Sequence, residues 1–282
     1  MSLSLPEQAS TTFSLEDRAD HWCITGVPYR GNICPVDLLK TLLDGGAVKT
    51  QDEWAEYSRN AVQARGFHVG GFPLYHALFS ILFRNKDNAQ HREKIGAART
   101  FLKEKFFANW LMTLTRIAYT PTRIAYTPSG KDKVTHNSGL PEKYEVQEDI
   151  VGLDEWVGDS QNPKLYKAIL GTDNISEIQS VYNWITGKNA RVWRMNTKPK
   201  SVDERVAGFY ADSGGAVLDC DGVLQSSDAS LGVRFPSAEG AQKIEAQNIE
   251  TYTPQQIATA LQTLRLSGLE QQLFDALKEQ RR

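Results

Sequence analysis

The chain has 282 residues, enough for one large domain or two small ones. Hydrophobic residues make up 40% and charged residues 23%, an ordinary globular balance. The net charge of −2 supplies no field that would draw the chain to nucleic acid or to an anionic membrane.

The three cysteines, Cys23, Cys34 and Cys220, form neither a CxxC pair nor an even disulfide set. Residues 1–20 are polar and read as a loose arm, without the basic start and apolar core of a secretory signal. No apolar run reaches the roughly 20 residues of a membrane span. The expectation is a chain made in a reducing cytoplasm, with display on a virion or cell surface left open.

Pro35 opens VDLLKTLLDGG, where Leu38, Leu39, Leu42 and Leu43 have helical spacing and Gly45-Gly46 supply a stop, which predicts a helix. Thr50 with Glu53 three residues on is a capping box, and Trp54, Tyr57, Ala61 and Val62 make the apolar face of the helix it starts. Pro73 suits a first helical turn, followed by Leu74, Leu78, Ile81 and Leu82 on a buried helix. A charged helix is predicted over residues 89–107, with Ile95, Ala98, Phe101 and Leu102 inward. Residues 110–119 read as a buried strand and Pro128-Ser129-Gly130 as a turn. Two short helices follow over residues 163–170 and 176–185, then a strand of period two over residues 191–196. Near the end, Thr253-Pro254 starts an amphipathic helix carried by Ile257, Leu261, Leu264, Leu269, Leu273 and Leu277.

The heptapeptide TRIAYTP occurs twice in tandem, at residues 115–121 and 122–128. An odd shift turns the second copy to the opposite face of a strand, so both copies cannot bury the same side chains. The reading is a duplication with one copy looped out.

Between residues 205 and 235 the chain is a dense run of Gly, Ser, Asp, Ala and Cys. Within it, VLDCDGVL is similar to the first motif of the haloacid-dehalogenase phosphatases, where Asp219 would attack phosphorus and Asp221 act as acid and base. Only 58 residues follow Leu224, too few for the doubly wound sheet and later motifs such an enzyme needs. A calcium site from Asp212, Asp219, Asp221 and Asp228 lacks the EF-hand spacing and its closing Glu. The histidines His21, His68, His76, His91 and His136 show no metal-ligand spacing, and His76 reads as a core residue. His21 near Cys23 offers at most a dyad without a third group. The basic residues are scattered, so no nucleic-acid partner is expected.

Composition offers another reading of the run. Lys, Glu, Gln, Trp and Met total 58 of 282 residues, which predicts about five in residues 209–234, yet only Gln225 is present. Those five types cannot arise from AAC or AAT codons by changing adenines alone, whereas Asp, Ser, Gly, Tyr, Val, Leu, Ala and Cys can. Gly-rich loops also avoid them, so composition suggests and does not decide. The order adds more. Ala216, Leu218 and Cys220 are small or apolar, and the intervening Val217, Asp219 and Asp221 share no chemistry, which in a strand sends a fixed frame inward and free positions outward.

The run from Trp193-Arg194-Met195-Asn196 through Lys198-Pro199, Arg205-Val206 and on to Ser230-Leu231-Gly232-Val233-Arg234 resembles the variable proteins of diversity-generating retroelements, particularly the archaeal and viral kind. The blocks FPLYHALF at residues 72–79 and WLMTLTR at residues 110–116 share the likeness, which covers most of the chain up to about Phe235. The resemblance implies that an error-prone reverse transcriptase rewrites selected codons from an RNA template. It implies an α+β, C-type-lectin-like fold, here with a helical N-terminal portion, a ligand-binding domain over residues 21–240 and a helical extension over residues 241–282. By matching position, the variable, ligand-binding residues would be Tyr210, Asp212, Gly214, Gly215, Val217, Asp219, Asp221, Gly222, Val223, Gln225 and Ser227. Ala211, Ala216, Leu218, Cys220, Leu231, Gly232 and Val233 would be the frame. The expected role is recognition of a macromolecular ligand, a protein or cell-surface component, without catalysis, cofactor or metal. A face whose side chains are rewritten cannot hold a catalytic constellation in register, but it can present contacts on a rigid platform. Two alternatives are carried: the Asp219/Asp221 hydrolase, and an assembly protein acting through its C-terminal helix.

Overall fold

The structure, a computed structural model, describes residues 13–122, 132–141 and 154–236, together with the backbone of one further strand, Val146–Ile150. The described residues all belong to one compact unit. It is a mixed α+β unit with a curled, half-barrel sheet. The predicted C-terminal helix, the Pro128-Ser129-Gly130 turn and the second heptapeptide beyond Thr122 lie outside the described residues.

The described chain opens in strands, not helices: β1 (Leu15–Asp17), β2 (His21–Tyr29) and β3 (Asn32–Leu42). This overturns the helix expected after Pro35, so that the helical part of the N-terminal portion begins only at residue 51, and it places residues 15–17 of the expected loose arm in a sheet. Leu38 is fully buried while Leu39, on the other face of the strand, packs against a second apolar cluster. A strand covered on both faces carries a continuous apolar run, which mimics helical spacing. Only the end of the segment curls, as a 3-10 turn over Leu43–Gly46.

Helices follow where capping chemistry announced them. α1 (Gln51–Gln63) starts at Thr50, whose hydroxyl accepts from the Glu53 amide while the Glu53 carboxylate accepts from the Thr50 amide. α2 (Phe72–Arg84) has Pro73 in its first turn, and α3 is Arg92–Ala108. α4 (Pro163–Leu170) and α5 (Ile175–Thr186) begin at the side-chain caps Asn162 and Asn174, and end at Gly171 and Gly187 with φ of 78° and 75°.

The first sheet has the order β1-β2-β3-β11, antiparallel throughout, and its last member, β11 (Leu231–Arg234), comes from the far end of the described chain. The second sheet has the order β6-β5-β4-β9-β10-β8-β7. Its strands are β4 (Leu111–Tyr119), β5 (Asp132–His136), β6 (Val146–Ile150), β7 (Glu155–Trp156), β8 (Ala190–Trp193), β9 (Asp203–Ala211) and β10 (Ala216–Val223). The predicted strand over residues 191–196 stops at Trp193. Pairing is antiparallel except between β8 and β10. The first heptapeptide copy contributes Thr115 to Tyr119 to β4.

Two cores sandwich the larger sheet. On the helical side Phe209 of β9 meets Phe72, Phe106 and Tyr182, with ring centroids 4.3, 5.7 and 6.2 Å away. On the other side Trp54, Met112, Leu114 and Val206 pack together under α1. The closing segment is held by donors from the scaffold: Trp54 Nε1 to the Asp228 carbonyl at 2.8 Å, and Tyr75 Oη to the Leu231 carbonyl at 2.7 Å.

Candidate ligand-binding face

Beyond the edge of the second core, one face of the larger sheet carries partly exposed side chains among the described residues. Residues in register across strands share a face. Trp156 pairs with Arg191, Arg191 with Val217, Val217 with Tyr210, and Trp193 with Asp219. Tyr210, Asp219, Arg191 and the two tryptophans therefore sit together. Trp156 and Trp193 are each 41% exposed, a large exposure for indole rings on a sheet.

Arg191 organises this patch. Its guanidinium carbon lies 5.2 Å from the Trp193 ring and 5.9 Å from the Trp156 ring. One terminal nitrogen is 3.5 Å from Asp212 Oδ2. Burial raises the Tyr210 phenol above its ordinary value, helped by the Asp219 carboxylate and opposed by the Arg191 guanidinium.

The β9–β10 turn is tied by Asp212, whose Oδ1 accepts from the amides of Gly214 and Gly215, each at 2.8 Å. Asp219 uses both carboxylate oxygens: Oδ1 accepts from the Asp221 amide at 2.9 Å, and Oδ2 from Trp110 Nε1 at 3.0 Å. Burial holds the Asp219 carboxyl above its ordinary value, and these two hydrogen bonds oppose that shift without cancelling it. A bulge between Asp219 and Gly222 breaks the alternation of β10 and re-aims the side chains after it. Asp221 Oδ1 lies 3.7 Å from Arg205 Nε.

The frame residues Ala211, Ala216, Leu218, Cys220, Leu231, Gly232 and Val233 are all buried. Burial pushes the Cys220 thiol up to about 12. Among the positions expected to vary, Gly214, Val223, Gln225 and Ser227 are exposed, and Tyr210, Asp212, Asp219 and Asp221 are partly so.

Three of the eleven do not offer a replaceable outward side chain. Val217 is 1% exposed, in register between Arg191 and Tyr210. A Cβ on Gly215 would stand 3.0 Å from the Asn189 carbonyl oxygen, and one on Gly222 2.7 Å from the Trp110 ring. The alternation of β10 hid this, because strict alternation assumes an uncovered outer face and no bulge.

Trp110, Trp156, Trp193 and Arg191 were not singled out as site residues by the sequence. The signal available was the period-two pattern of residues 191–196, which puts Arg191 and Trp193 on one face.

The other candidate chemistries find less. Asp219 stands within a strand flanked by antiparallel β9 and parallel β8, and that parallel pair is the one such pair in the described sheets. Among the described residues no three His, Cys, Asp or Glu side chains come together as a metal site, so the set Asp212, Asp219, Asp221 and Asp228 does not converge. His21 hydrogen-bonds Asp20 at 2.7 Å, and burial with the neighbouring Asp37 pushes the Cys23 thiol up to about 11, the reverse of an activated nucleophile. His76 is buried, stacked on Tyr182 and hydrogen-bonded to Ser80, as a core histidine. No helix of the described residues is long and apolar enough to cross a membrane.

Comparison of the chain with known family models, with curated proteins and with solved structures finds no match to any of them.

Proposed function

We propose that this chain is a recognition protein, C-type-lectin-like in fold, that binds a macromolecular ligand through the partly exposed face of its larger sheet. The ligand is a protein or cell-surface component. Outward residues of β9, β10 and the following turn are rewritten from copy to copy by a retroelement reverse transcriptase, and the frame behind them stays fixed. The observation that carries this reading is the division of labour in residues 205–235: the frame residues are buried, and most residues between them are at the surface. The resemblance of the sequence supplies the retroelement and the lectin-like fold, and the α+β unit with a curled sheet agrees with it.

Trp156, Trp193 and Arg191 add what a face of Asp, Gly and Ser lacks. Aromatic and Arg anchors dominate binding energy at interfaces, and these three lie outside the rewritten segment. Each new copy then tries fresh contacts around constant anchors, with a scaffold that loses little entropy on binding.

The test is the DNA around the gene. It is expected to hold a reverse-transcriptase gene and a near-copy of the segment encoding residues 205–235, differing at adenines. Flanking DNA with neither sinks the reading. The hydrolase alternative predicts magnesium-dependent turnover of p-nitrophenyl phosphate that disappears in Asp219→Asn, and the recognition reading predicts none.

A further inference from the structure

A pocket of about 340 Å3 lies beside the aromatic face, at the β7 edge of the larger sheet. It is lined by Trp156, Gly158, Asp159, Gln179 and Asn189. None of the five belongs to residues 205–235, so its chemistry stays the same whatever side chains that segment carries. Its size falls at the lower end of the roughly 300–1,000 Å3 that small-molecule sites occupy.

Trp156 supplies the apolar wall. It is 41% exposed, yet its ring is held in place. A Cβ on Gly215 would stand 3.2 Å from Cζ3 and 3.4 Å from Cη2, so that glycine makes room for the ring. The Arg191 guanidinium carbon lies 5.9 Å from the ring centre. A fixed indole of this kind offers a π face of partial negative charge to whatever covers it.

The polar wall is preset by a chain of amides. Gln179 Oε1 accepts from the Ala190 amide at 3.1 Å, which turns Gln179 Nε2 onto Asn189 Oδ1 at 2.9 Å. Asn183 Nδ2 reaches the same oxygen at 3.5 Å. With its oxygen taken, Asn189 has Nδ2 left as a donor, without a partner among the described residues. Asp159 is exposed, and its carboxylate meets neither a cation nor a donor among the described residues.

One platform, one donor and one carboxylate sort the ligand chemistries. An anion would face Asp159, and no lining residue is a cation. A purely apolar ligand would cover Trp156 and strip water from Asp159 and Asn189 without replacing it. An ammonium would find Trp156 already beside Arg191 and the Asn189 donor against it. A ring with a C–H face and adjacent hydroxyls fits all three groups, because a hydroxyl both donates and accepts.

We propose that this pocket is a saccharide subsite for one neutral pyranose, its C–H face stacked on Trp156 and its hydroxyls bonded to Asp159 and Asn189. The contacts are direct and need no metal ion. The proposal names a ligand chemistry for one end of the recognition face and so rests on that reading. The retroelement part of the reading is judged on the DNA around the gene, so glycoside failure beside a reverse-transcriptase gene sinks the saccharide alone.

Saturation-transfer NMR titrations of the full chain in EDTA test it, with the methyl glycosides of β-glucose, β-galactose and α-mannose as probes. Cyclohexanol, methyl β-glucuronide and choline are the apolar, anionic and cationic controls. Saturable binding of at least one glycoside is expected at a millimolar Kd, about tenfold tighter than any control. Asp159→Asn and Asn189→Ala are each expected to weaken it about tenfold. Gly158 has no left-handed φ, and a Cβ there would lie 3.9 Å from its nearest neighbour, the Gln179 side chain. Gly158→Tyr is therefore expected to fill the pocket and abolish binding at an unchanged melting temperature. No saturation with any of the three glycosides up to about 100 mM overturns the proposal. So does a control bound as tightly, or affinity unchanged in Gly158→Tyr or in both polar variants.

Discussion

Trp110 and Asp219 are joined across the edge of the partly exposed face: the indole Nε1 donates to Asp219 Oδ2 at 3.0 Å. The carbon edge of the same indole covers Gly208 and Gly222, where an added Cβ would lie 2.6 and 2.7 Å from ring atoms. Trp110 thus seals the second core and fixes one carboxylate of the face. Gly208→Ala and Gly222→Ala are each expected to lower stability by roughly 1–3 kcal/mol, as overpacking does. Ser227→Tyr, at an exposed site, should stay within about 0.5 kcal/mol of the parent. Urea midpoints check both, and a neutral Gly222→Ala would restore that position to the replaceable set.

Arg191 bridges Trp156 and Trp193 by its guanidinium. Arg191→Ala is expected to cost only about 0.5–1 kcal/mol, because the rings are partly in water. It should also raise acrylamide quenching of the tryptophan fluorescence, as two indoles lose their cover. A ligand bound at the proposed face should lower that quenching in the parent protein. Unchanged quenching in a saturated complex would place the ligand elsewhere.

Behind the sheet, Arg194 and Asp132 form a buried pair at 2.7 Å, with side chains 0% and 3% exposed. The guanidinium carbon also lies 5.3 Å from the Tyr119 ring. Arg194→Met leaves a buried carboxylate without its counter-ion and is expected to cost about 3–5 kcal/mol. Adding Asp132→Asn should recover part of that loss. Chemical denaturation of the three variants measures the coupling, and strictly additive losses would show that the two residues act independently.

Three buried histidines set an acid limit. Burial lowers His68 and His136 to about 4 and His76 to about 3, from 6.5. The unfolded chain takes up these protons near pH 6.5, and the folded chain refuses them until far lower. The stability they contribute is complete above pH 6.5 and is lost as the pH falls toward 4. By pH 5 each ring is expected to cost on the order of 2 kcal/mol. Asp219 and Asp228, raised by burial, act in the opposite sense at lower pH. Urea midpoints at pH 7.5 and pH 5 measure the sum. An equal midpoint at both would show that the rings are not buried neutral.

Local signals in the sequence translated well where a side chain acts on its own backbone. Thr50 with Glu53, Pro73 and Pro163 all mark helices that form. Burial on two faces was the failure. β3 carries Leu38 toward one core and Leu39 toward another, so its apolar pattern loses the period of two that identifies a strand. The same cause blurred the candidate site. Val217 faces outward by register and is still enclosed, because Arg191 and Tyr210 from neighbouring strands flank it. Cross-strand cover depends on residues far away in the chain, and the Trp156–Arg191–Trp193 group becomes visible only once β7 and β8 pair.

The position of β11 has a consequence for synthesis. Its partner is β3, with Val233 opposite Leu38, so the first hairpin waits with a bare edge until almost the whole described chain has left the ribosome. Residues 205–230 are translated just before that clasp. A chain cut short within them never delivers the Leu231 carbonyl to Tyr75, nor the closing strand to β3. Truncated products are left with an unpaired edge that invites aggregation or proteolysis. Translation through to residue 234 is thereby a condition for escaping disposal.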